Sequence, residues 1–571
     1  MTESHVSELQ GSLMVCGTAS DVGKSSVVTG LCRLLARKGV SVAPFKAQNM
    51  ALNSWVTIDG AEIGRAQGVQ AAAAGIPAEV AMNPILLKPT GERTSQVVVM
   101  GSPWADLDAA AYHAAKPALF ALVQDALADL RSRYDVVLCE GAGSPAEINL
   151  LDNDLVNLRL AVAAGIRAIV VGDIDRGGVF AHLYGTVALL PNPLRECVKG
   201  FIVNKFRGDP GLLLSGFEDL LHRTGVPTLG VLPMLQGMAL DAEDSLGIAG
   251  GWSASLQASP SGDTSTHKGP EGVPYDEGLL GESALDGALL DVAVVRLPFV
   301  SNITDIDALA AEPGVSVRLV EYPKALGDPD LIVLPGTKST VGDLDWLRRS
   351  GMATAIDAIA RRPGGPVVLG VCGGYQMLGS RIVDGVESTE MVVEGLGLLP
   401  HETVFDKSKI TRQVFGVVDQ ALGGVMSGVP FSGYEIRHGR PVSPASQPSL
   451  FDQTHGGPSR AKGVGEMTPT AVPWLRLKAT ERTAPGAPLP SEGLVDLPAG
   501  VFGTSVHGLF ESDGFRSTFL QLVAERRGKR FATGKVSFAA LRESRFDRLA
   551  DAIEEHVDVD AILRLVSQGA S

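Results

Sequence analysis

The chain runs to 571 residues, room for about three or four domain-sized units. Lys and Arg total 49 against 64 Asp and Glu, a formal charge of −15, which argues against coating nucleic acid or an anionic membrane, since both call for excess cations. Apolar residues make up 45% and charged residues 20%, a globular rather than a disordered composition.

Glycine is the outlier, at 67 residues where ordinary usage is about 7%; such an excess marks tight turns and close backbone approaches. The cysteines, Cys16, Cys32, Cys139, Cys197 and Cys372, are odd in number and form no C-x-x-C, so a reducing, cytoplasmic compartment is expected. The start, MTESHVSELQ, has no basic stretch before an apolar one, so no signal peptide is expected. No apolar run reaches the ~20 residues of a membrane span.

Short β-branched runs alternate with helical patterns, the signature of parallel βαβ units. Strands are expected near 13–16, 40–45, 136–139, 168–172, 201–203 and 228–232, then near 292–296, 317–320, 331–334 and 367–371. The Ser/Gly/Pro/Thr-rich stretch between them has no period and reads as a linker. The expected division is an α/β domain over 1–245, a linker over 246–290, and a second α/β domain over 291–530 with a loose insertion at 441–490. A C-terminal helical segment over 531–571 follows, from leucines and isoleucines at helical spacing amid charges.

The segment LMVCGTASDVGKSSVVTGLCRLLARKGV is strand, loop, helix. Val27, Val28, Leu31, Leu34 and Leu35 form one helix face, and Lys38-Gly39 is a plausible C-cap. Loop N–H groups and a helix N-terminus hold phosphate, Lys24 reaches the β/γ oxygens, and the Ser25 hydroxyl suits Mg²⁺. The ATP site is read as Gly17, Thr18, Asp21, Val22, Gly23, Lys24, Ser25 and Ser26, though five residues separate Gly17 from Gly23, one more than in the common phosphate loop. The pattern G-T-x-x-x-V-G-K-[ST] resembles dethiobiotin synthetase and its relatives, ATP-dependent enzymes that activate carboxylates. That resemblance implies an acidic Mg²⁺ ligand at Glu140 in YDVVLCEGAG and an adenine contact at Asn204 in GFIVNKFRGD. Asp173 and Asp175 stand at another strand's carboxyl end, the usual site edge of an open parallel sheet.

In the second half, GGPVVLGVCGGYQMLGS reads as strand, sharp turn, helix, with Cys372 at the turn inside G-x-C-x-G. Flanking glycines let a strained nucleophile project, and a helix N-terminus favours its thiolate. The other four cysteines read as small buried hydrophobes. As base, His507 in GTSVHG leads, with His438 second and His401 third. GVCGGYQ with GTSVHG resembles class I glutamine amidotransferases, in which Cys attacks the glutamine amide and His shuttles its proton. That class usually carries Glu two residues after the His. Here the position is Leu509 and the next carboxylate is Glu511, so a Cys372–His507 dyad is expected. LPGTKST, 334–340, resembles the class's oxyanion loop, implying the backbone N–H groups of Gly336 and Gly373 as donors.

ATP activation of a carboxylate and ammonia release compose into one reaction, amide synthesis through an acyl phosphate. FKAQNMALNS (45–54), DGAEIGRAQ (59–67), MNPILLKP (82–89), EGAGSPAEINL (140–150) and PFVSNITDIDAL (298–309) together resemble the cobyric acid synthase family. The resemblance implies a P-loop parallel-sheet domain followed by a class I glutamine amidotransferase domain. It also implies ATP, Mg²⁺ and glutamine, and as substrate the b, d, e and g carboxylates of adenosylcobyrinic acid a,c-diamide. Asp59 joins Ser25 and Glu140 as a candidate metal ligand. Lys46, Gln48, Asn49, Glu62, Glu147 and Asn149 are candidates for the corrinoid surface. The rival readings are an a,c-diamide synthase, a CTP-synthase-like amidotransferase, and a non-enzymatic P-loop switch.

Overall fold

The structure, a computed structural model, describes residues 9–90, 94–235, 289–388, 391–442, 471–478, 490–531, 534 and 537–568. The stretch expected as a linker, 246–290, lies outside them except for 289 and 290, as does most of 441–490. The chain forms two compact units, Met1–Gly247 with Ala539–Ser571, and Ile248–Phe538.

The first unit is built on β1 (Gly11–Gly17), β2 (Val42–Phe45), β9 (Val136–Glu140), β10 (Arg167–Asp173), β11 (Val198–Phe206) and β12 (Thr228–Pro233). They form one sheet in the order β12-β11-β10-β1-β9-β2, parallel throughout. Because successive side chains take opposite faces, Met14 and Cys16 enter one apolar core while Leu13 and Val15 enter the other. Burial on both faces is why these strands read as continuous apolar runs. The helix Lys24–Arg37 lays Val27, Val28, Leu31, Leu34 and Leu35 on the second core. That core is completed from the far end of the chain: Phe546, Ala550, Ile553, Ile562 and Val566 belong to it. Gly30 makes room, since a Cβ there would lie 2.5 Å from Ile553 Cδ1. Outside, Arg33 meets Asp547 at 2.8 Å and Arg37 meets Asp551 at 2.6 Å.

Between β2 and β9 the chain inserts elements that the apolar pattern did not announce. β3 (Gln48–Met50), β6 (Ile85–Pro89), β7 (Thr94–Val99) and β8 (Ser102–Asp108) form a small sheet, and β4 (Ser54–Val56) pairs with β5 (Glu62–Gly64). β6 and β7 place Ile85, Leu87 and Val97 in the first core, whereas β3, β4 and β5 carry buried polar side chains, Asn49, Ser54 and Glu62.

The second unit carries β13 (Leu290–Val295), β14 (Val315–Val320), β15 (Leu331–Leu334), β16 (Val367–Val371), β23 (Leu494–Asp496) and β24 (Val501–Thr504). The order is β14-β13-β15-β16-β24-β23, with only the edge strand β23 antiparallel. A second sheet holds β17 (Arg381–Val383), β18 (Val392–Glu394), β21 (Leu475–Leu477) and β22 (Ser491–Glu492) beside the long hairpin of β19 (Glu402–Val418) and β20 (Pro430–Val442). Within 441–490, residues 471–478 are not loose: β21 pairs with β19 and β22, and Trp474 is fully buried, its Nε1 donating to Gly503 O at 2.9 Å.

Candidate active site

In the first unit, β1 ends at Gly17 and the loop re-enters a helix at Lys24. A Cβ on Gly17 would strike Val22 Cγ2 at 2.6 Å; one on Gly23, whose φ is +98°, would strike Asn204 Nδ2 at 2.1 Å. Both positions therefore demand glycine. Asp21 also adopts a left-handed backbone, φ 58°. The Asn204 side chain donates to Val22 O at 2.9 Å, and Lys205 donates to Asp21 O at 2.6 Å and to Asp173 Oδ2 at 2.8 Å. Thr18 N donates to Val171 O at 2.9 Å, so the loop is braced from β10 and β11. Lys24 folds back over it, donating to Ala19 O at 2.8 Å and Gly143 O at 3.3 Å. Ser25 and Ser26 open the helix, where N–H groups favour an anion. Asp175 pairs with Arg207 at 3.2 Å at the exposed edge.

Glu140 ends β9, buried, and accepts from Ser25 Oγ at 2.9 Å, from Lys46 Nζ at 2.9 Å and from Gln70. A hydroxyl beside a carboxylate is an all-oxygen donor set, which fits a hard cation such as Mg²⁺. Asp59, expected with them, is exposed at the β4–β5 turn and accepts from Thr57 Oγ1. The expected corrinoid contacts divide. Glu147 and Asn149 are exposed on the loop after β9. Lys46, Asn49 and Glu62 are buried and internally engaged, a correction to their reading as a presented surface. Lys46 serves Glu140, and Asn49 donates to Gln67 at 3.2 Å. Glu62 pairs with Lys88 at 2.6 Å and accepts from Ser54 at 2.7 Å. Gln48 accepts from Tyr112. Gln70 and Lys88 were missed because a lone polar residue carries no spacing signal.

In the second unit, β16 ends at Val371 and Cys372 follows, holding φ 50° and ψ −106° before the helix Gly373–Leu378. A non-glycine residue there is strained by about 1–3 kcal/mol, and the neighbouring glycines are what permit it. A Cβ on Gly374 would lie 1.9 Å from Leu334 O, and one on Gly370 2.7 Å from Tyr375 N. The Cys372 thiol lies 3.5 Å from Ile436 O on β20. The other four cysteines are buried, and burial pushes each thiol up, which suits inert hydrophobes.

His507 follows β24. Its Nδ1 donates to Asp305 Oδ2 at 2.7 Å, Gly508 N donates to Asp305 Oδ1 at 2.7 Å, and Tyr434 stacks on the ring at 5.2 Å. The Nδ1 contact leaves Nε2 for proton transfer. Burial opposes charge on this imidazole, but Asp305 and the Cys372 sulfur hold it up at about 10. An imidazolium beside a thiol favours thiolate. The expected dyad thus has a third group, a carboxylate 202 residues before the histidine. Leu509 is core, and Glu511 stands in the short turn after it. No local pattern could have found Asp305, because only the sheet brings it to His507. Burial pushes His401 down to about 4 against the Tyr375 ring, whereas His438 takes a backbone carbonyl.

The loop after β15 lies beneath these groups. A Cβ on Gly336 would lie 2.8 Å from His507 Cε1, and one on Gly373 3.0 Å from Thr337 N. The loop is tied to the one after β13 by Ser301 N to Gly336 O at 2.8 Å and Lys338 N to Phe299 O at 3.0 Å. Buried Asp343 clamps both, accepting from Thr337 Oγ1 and from Phe299 N at 3.2 Å. Burial pushes its carboxyl up to about 6.

A phosphate-loop sheet and a strained cysteine facing a histidine define a class: a nucleotide-binding domain followed by a glutamine amidotransferase domain. Residues 13–246 match the CobQ/CobB/MinD/ParA nucleotide binding domain, and residues 291–515 match the CobB/CobQ-like glutamine amidotransferase domain. Similar chains include the cobyric acid synthase of Rhodococcus jostii, 49% identical over 99% of this chain and 97% of that one. The cobyric acid synthase of Nocardia farcinica is 48% identical over 98% of each chain, and that of Yersinia enterocolitica is 44% identical over 98% of each. The chain belongs to the cobyric acid synthase family, whose members are enzymes of cobalamin biosynthesis. No described helix is long and apolar enough to cross a membrane.

Proposed function

We propose that this chain amidates the b, d, e and g carboxylates of adenosylcobyrinic acid a,c-diamide, using ATP and glutamine. The observation that carries the reading is the Asp305–His507–Cys372 constellation in the same chain as a phosphate loop whose Ser25 touches Glu140. Cys372 Sγ attacks the amide carbon of glutamine, and His507 Nε2 passes a proton to the departing ammonia. The Gly336 and Gly373 N–H groups face the oxyanion, and water then hydrolyses the thioester. In the first unit, Lys24 and the N–H groups where the loop enters the helix at Lys24 and Ser25 hold the ATP phosphates, while Asn204 contacts the base. A substrate carboxylate attacks the γ-phosphorus, and ammonia displaces phosphate from the acyl phosphate.

Ser25 and Glu140 are the residues that would hold Mg²⁺, which when bound neutralises charge on the phosphates. Glu147 and Asn149 are the exposed candidates for the corrinoid. The buried Glu140 pair then gives Lys46 a role beside the phosphates. The test is to supply the a,c-diamide, ATP, Mg²⁺ and glutamine and to read the product by mass. An amide at each of the b, d, e and g positions supports the reading. Turnover of UTP in place of the corrinoid would select a CTP-synthase-like enzyme.

A further inference from the structure

Three neighbouring elements, the loop after β15, the segment holding Glu387, and β20, carry charged or hydrogen-bonding side chains that the amide chemistry does not use. Lys338 directly follows Gly336 and Thr337. Its side chain is 8% exposed and ion-paired with Glu387. Glu387 is itself held in place: its N–H and that of Val386 donate to the buried Asp384 Oδ1 at 2.8 and 2.9 Å. The third element is β20. Tyr434 stacks on His507, and Ile436 O meets the Cys372 sulfur. Strand residues alternate faces, so His438 shares the face of Tyr434 and Ile436, about 7 Å beyond Ile436.

His438 Nδ1 lies 3.0 Å from Asp406 O, a carbonyl that can only accept. Nδ1 therefore carries the proton, and Nε2 is a bare acceptor. That atom has no hydrogen-bond partner among the described residues, although His438 is only 7% exposed. A buried, unpaired acceptor is costly unless something else fills it. Burial holds the ring toward its neutral form, and the charged groups acting on it are Glu387, Lys338 and Lys409. Arg437, another cation close enough to feel Cys372, is bonded to Glu435 and to Gly439 O.

We propose that Lys338, Glu387 and His438 grip the zwitterionic head of the amino acid whose side-chain amide is attacked by Cys372. Lys338 takes the α-carboxylate, and Glu387 with His438 Nε2 takes the α-ammonium. A cation paired with an anion complements a zwitterion, and neither charge is exhausted by the pair: ammonium has three donors and carboxylate about four acceptor sites. This inference rests on the proposed attack of Cys372 on glutamine.

The test uses the full-length enzyme and two thiol reagents, with labelling of Cys372 followed by intact mass. Iodoacetamide has no amino-acid head, whereas 6-diazo-5-oxo-L-norleucine carries the head of glutamine. In Glu387→Gln and Lys338→Met, labelling by the diazo ketone should slow about 10- to 100-fold while iodoacetamide labels at the wild-type rate. The KM for glutamine should rise by the same factor with kcat little changed, and Glu387→Asp should recover most of the loss. An unchanged ratio of the two rates would overturn the proposal and leave Cys372 as the nucleophile. Wild-type enzyme in which neither reagent labels Cys372 would overturn the glutamine reading and the head-group proposal with it.

Discussion

The two sites bury charge in opposite ways. In the nucleotide-binding unit the chain's own groups close on one another: Lys24 on the carbonyls of Ala19 and Gly143, and Ser25, Lys46 and Gln70 on Glu140. In the amidotransferase unit the reacting groups already stand in order, with Cys372 on its strained turn and His507 oriented by Asp305. A buried carboxylate needs partners whether or not ligand is present. Under the proposed chemistry metal and phosphate would replace partners in the first unit, whereas glutamine would enter a frame set by backbone strain and packing in the second. One site is an exchange of contacts, and the other is preorganised.

The sharpest break between the two is Cys372→Ala. Glutamine-dependent amidation should fall by about 10⁵–10⁶, the scale of losing a covalent nucleophile, while ammonia-driven amidation persists; parallel assays with glutamine and with ammonium salt decide it. Equal loss of both would contradict the division of labour. Next is Asp305→Asn, expected to cut glutamine hydrolysis by up to about 10⁴, since the imidazole loses its orienting anion, again sparing ammonia-driven turnover. The same change has a pH signature. His507 is raised from an ordinary value near 6.5 to about 10, so its stabilising pair is complete below about pH 6.5 and is lost as pH rises through about 10. Denaturant unfolding of the wild type should weaken across that window, and the Asn variant should not.

Lys24→Ala sharpens the comparison from the other side. Loss of this phosphate-binding charge should cost about 10²–10³ in amidation with glutamine and with ammonia alike, and glutamine hydrolysis alone should stand. The smallest effect belongs to Asp343. Its carboxyl is raised to about 6 by burial, so the native state binds a proton more tightly than the unfolded chain. Stability therefore declines as pH rises from about 4 to 6, by roughly 2–3 kcal/mol from this one group. In Asp343→Asn that slope should vanish in unfolding titrations. A retained slope would assign it to another group.

Much of the architecture was legible because parallel strands buried on both faces must be apolar throughout. The strands around 13–16, 136–139 and 367–371 announced themselves in that way, and the glycine frames of Gly23 and Cys372 announced the turns between strand and helix. β3, β4 and β5 did not, since each is three residues long and they bury polar side chains, Asn49, Ser54 and Glu62. Trp474 was hidden for a related reason: its neighbours 471–473 read like the loose segment around them, and only pairing of β21 with β19 and β22 buries it. The surroundings of Asp59 and Glu62 were not legible, because no local pattern of carboxylates encodes burial. Asp59 is exposed at a turn, and Glu62 sits inside with Lys88.

The sequence by itself determined the two α/β units, the phosphate loop and the cysteine elbow, because each depends on residues within about 30 positions of one another, where propensity and steric need act locally. Only the tertiary structure decided that Asp305 orients His507, that Lys46 belongs with Glu140, and that the C-terminal helices complete the first unit's core. Those partners lie 202, 94 and more than 500 residues apart. Charge pairing and apolar burial depend on distance in space, and a parallel sheet sets that distance without leaving a period in the chain.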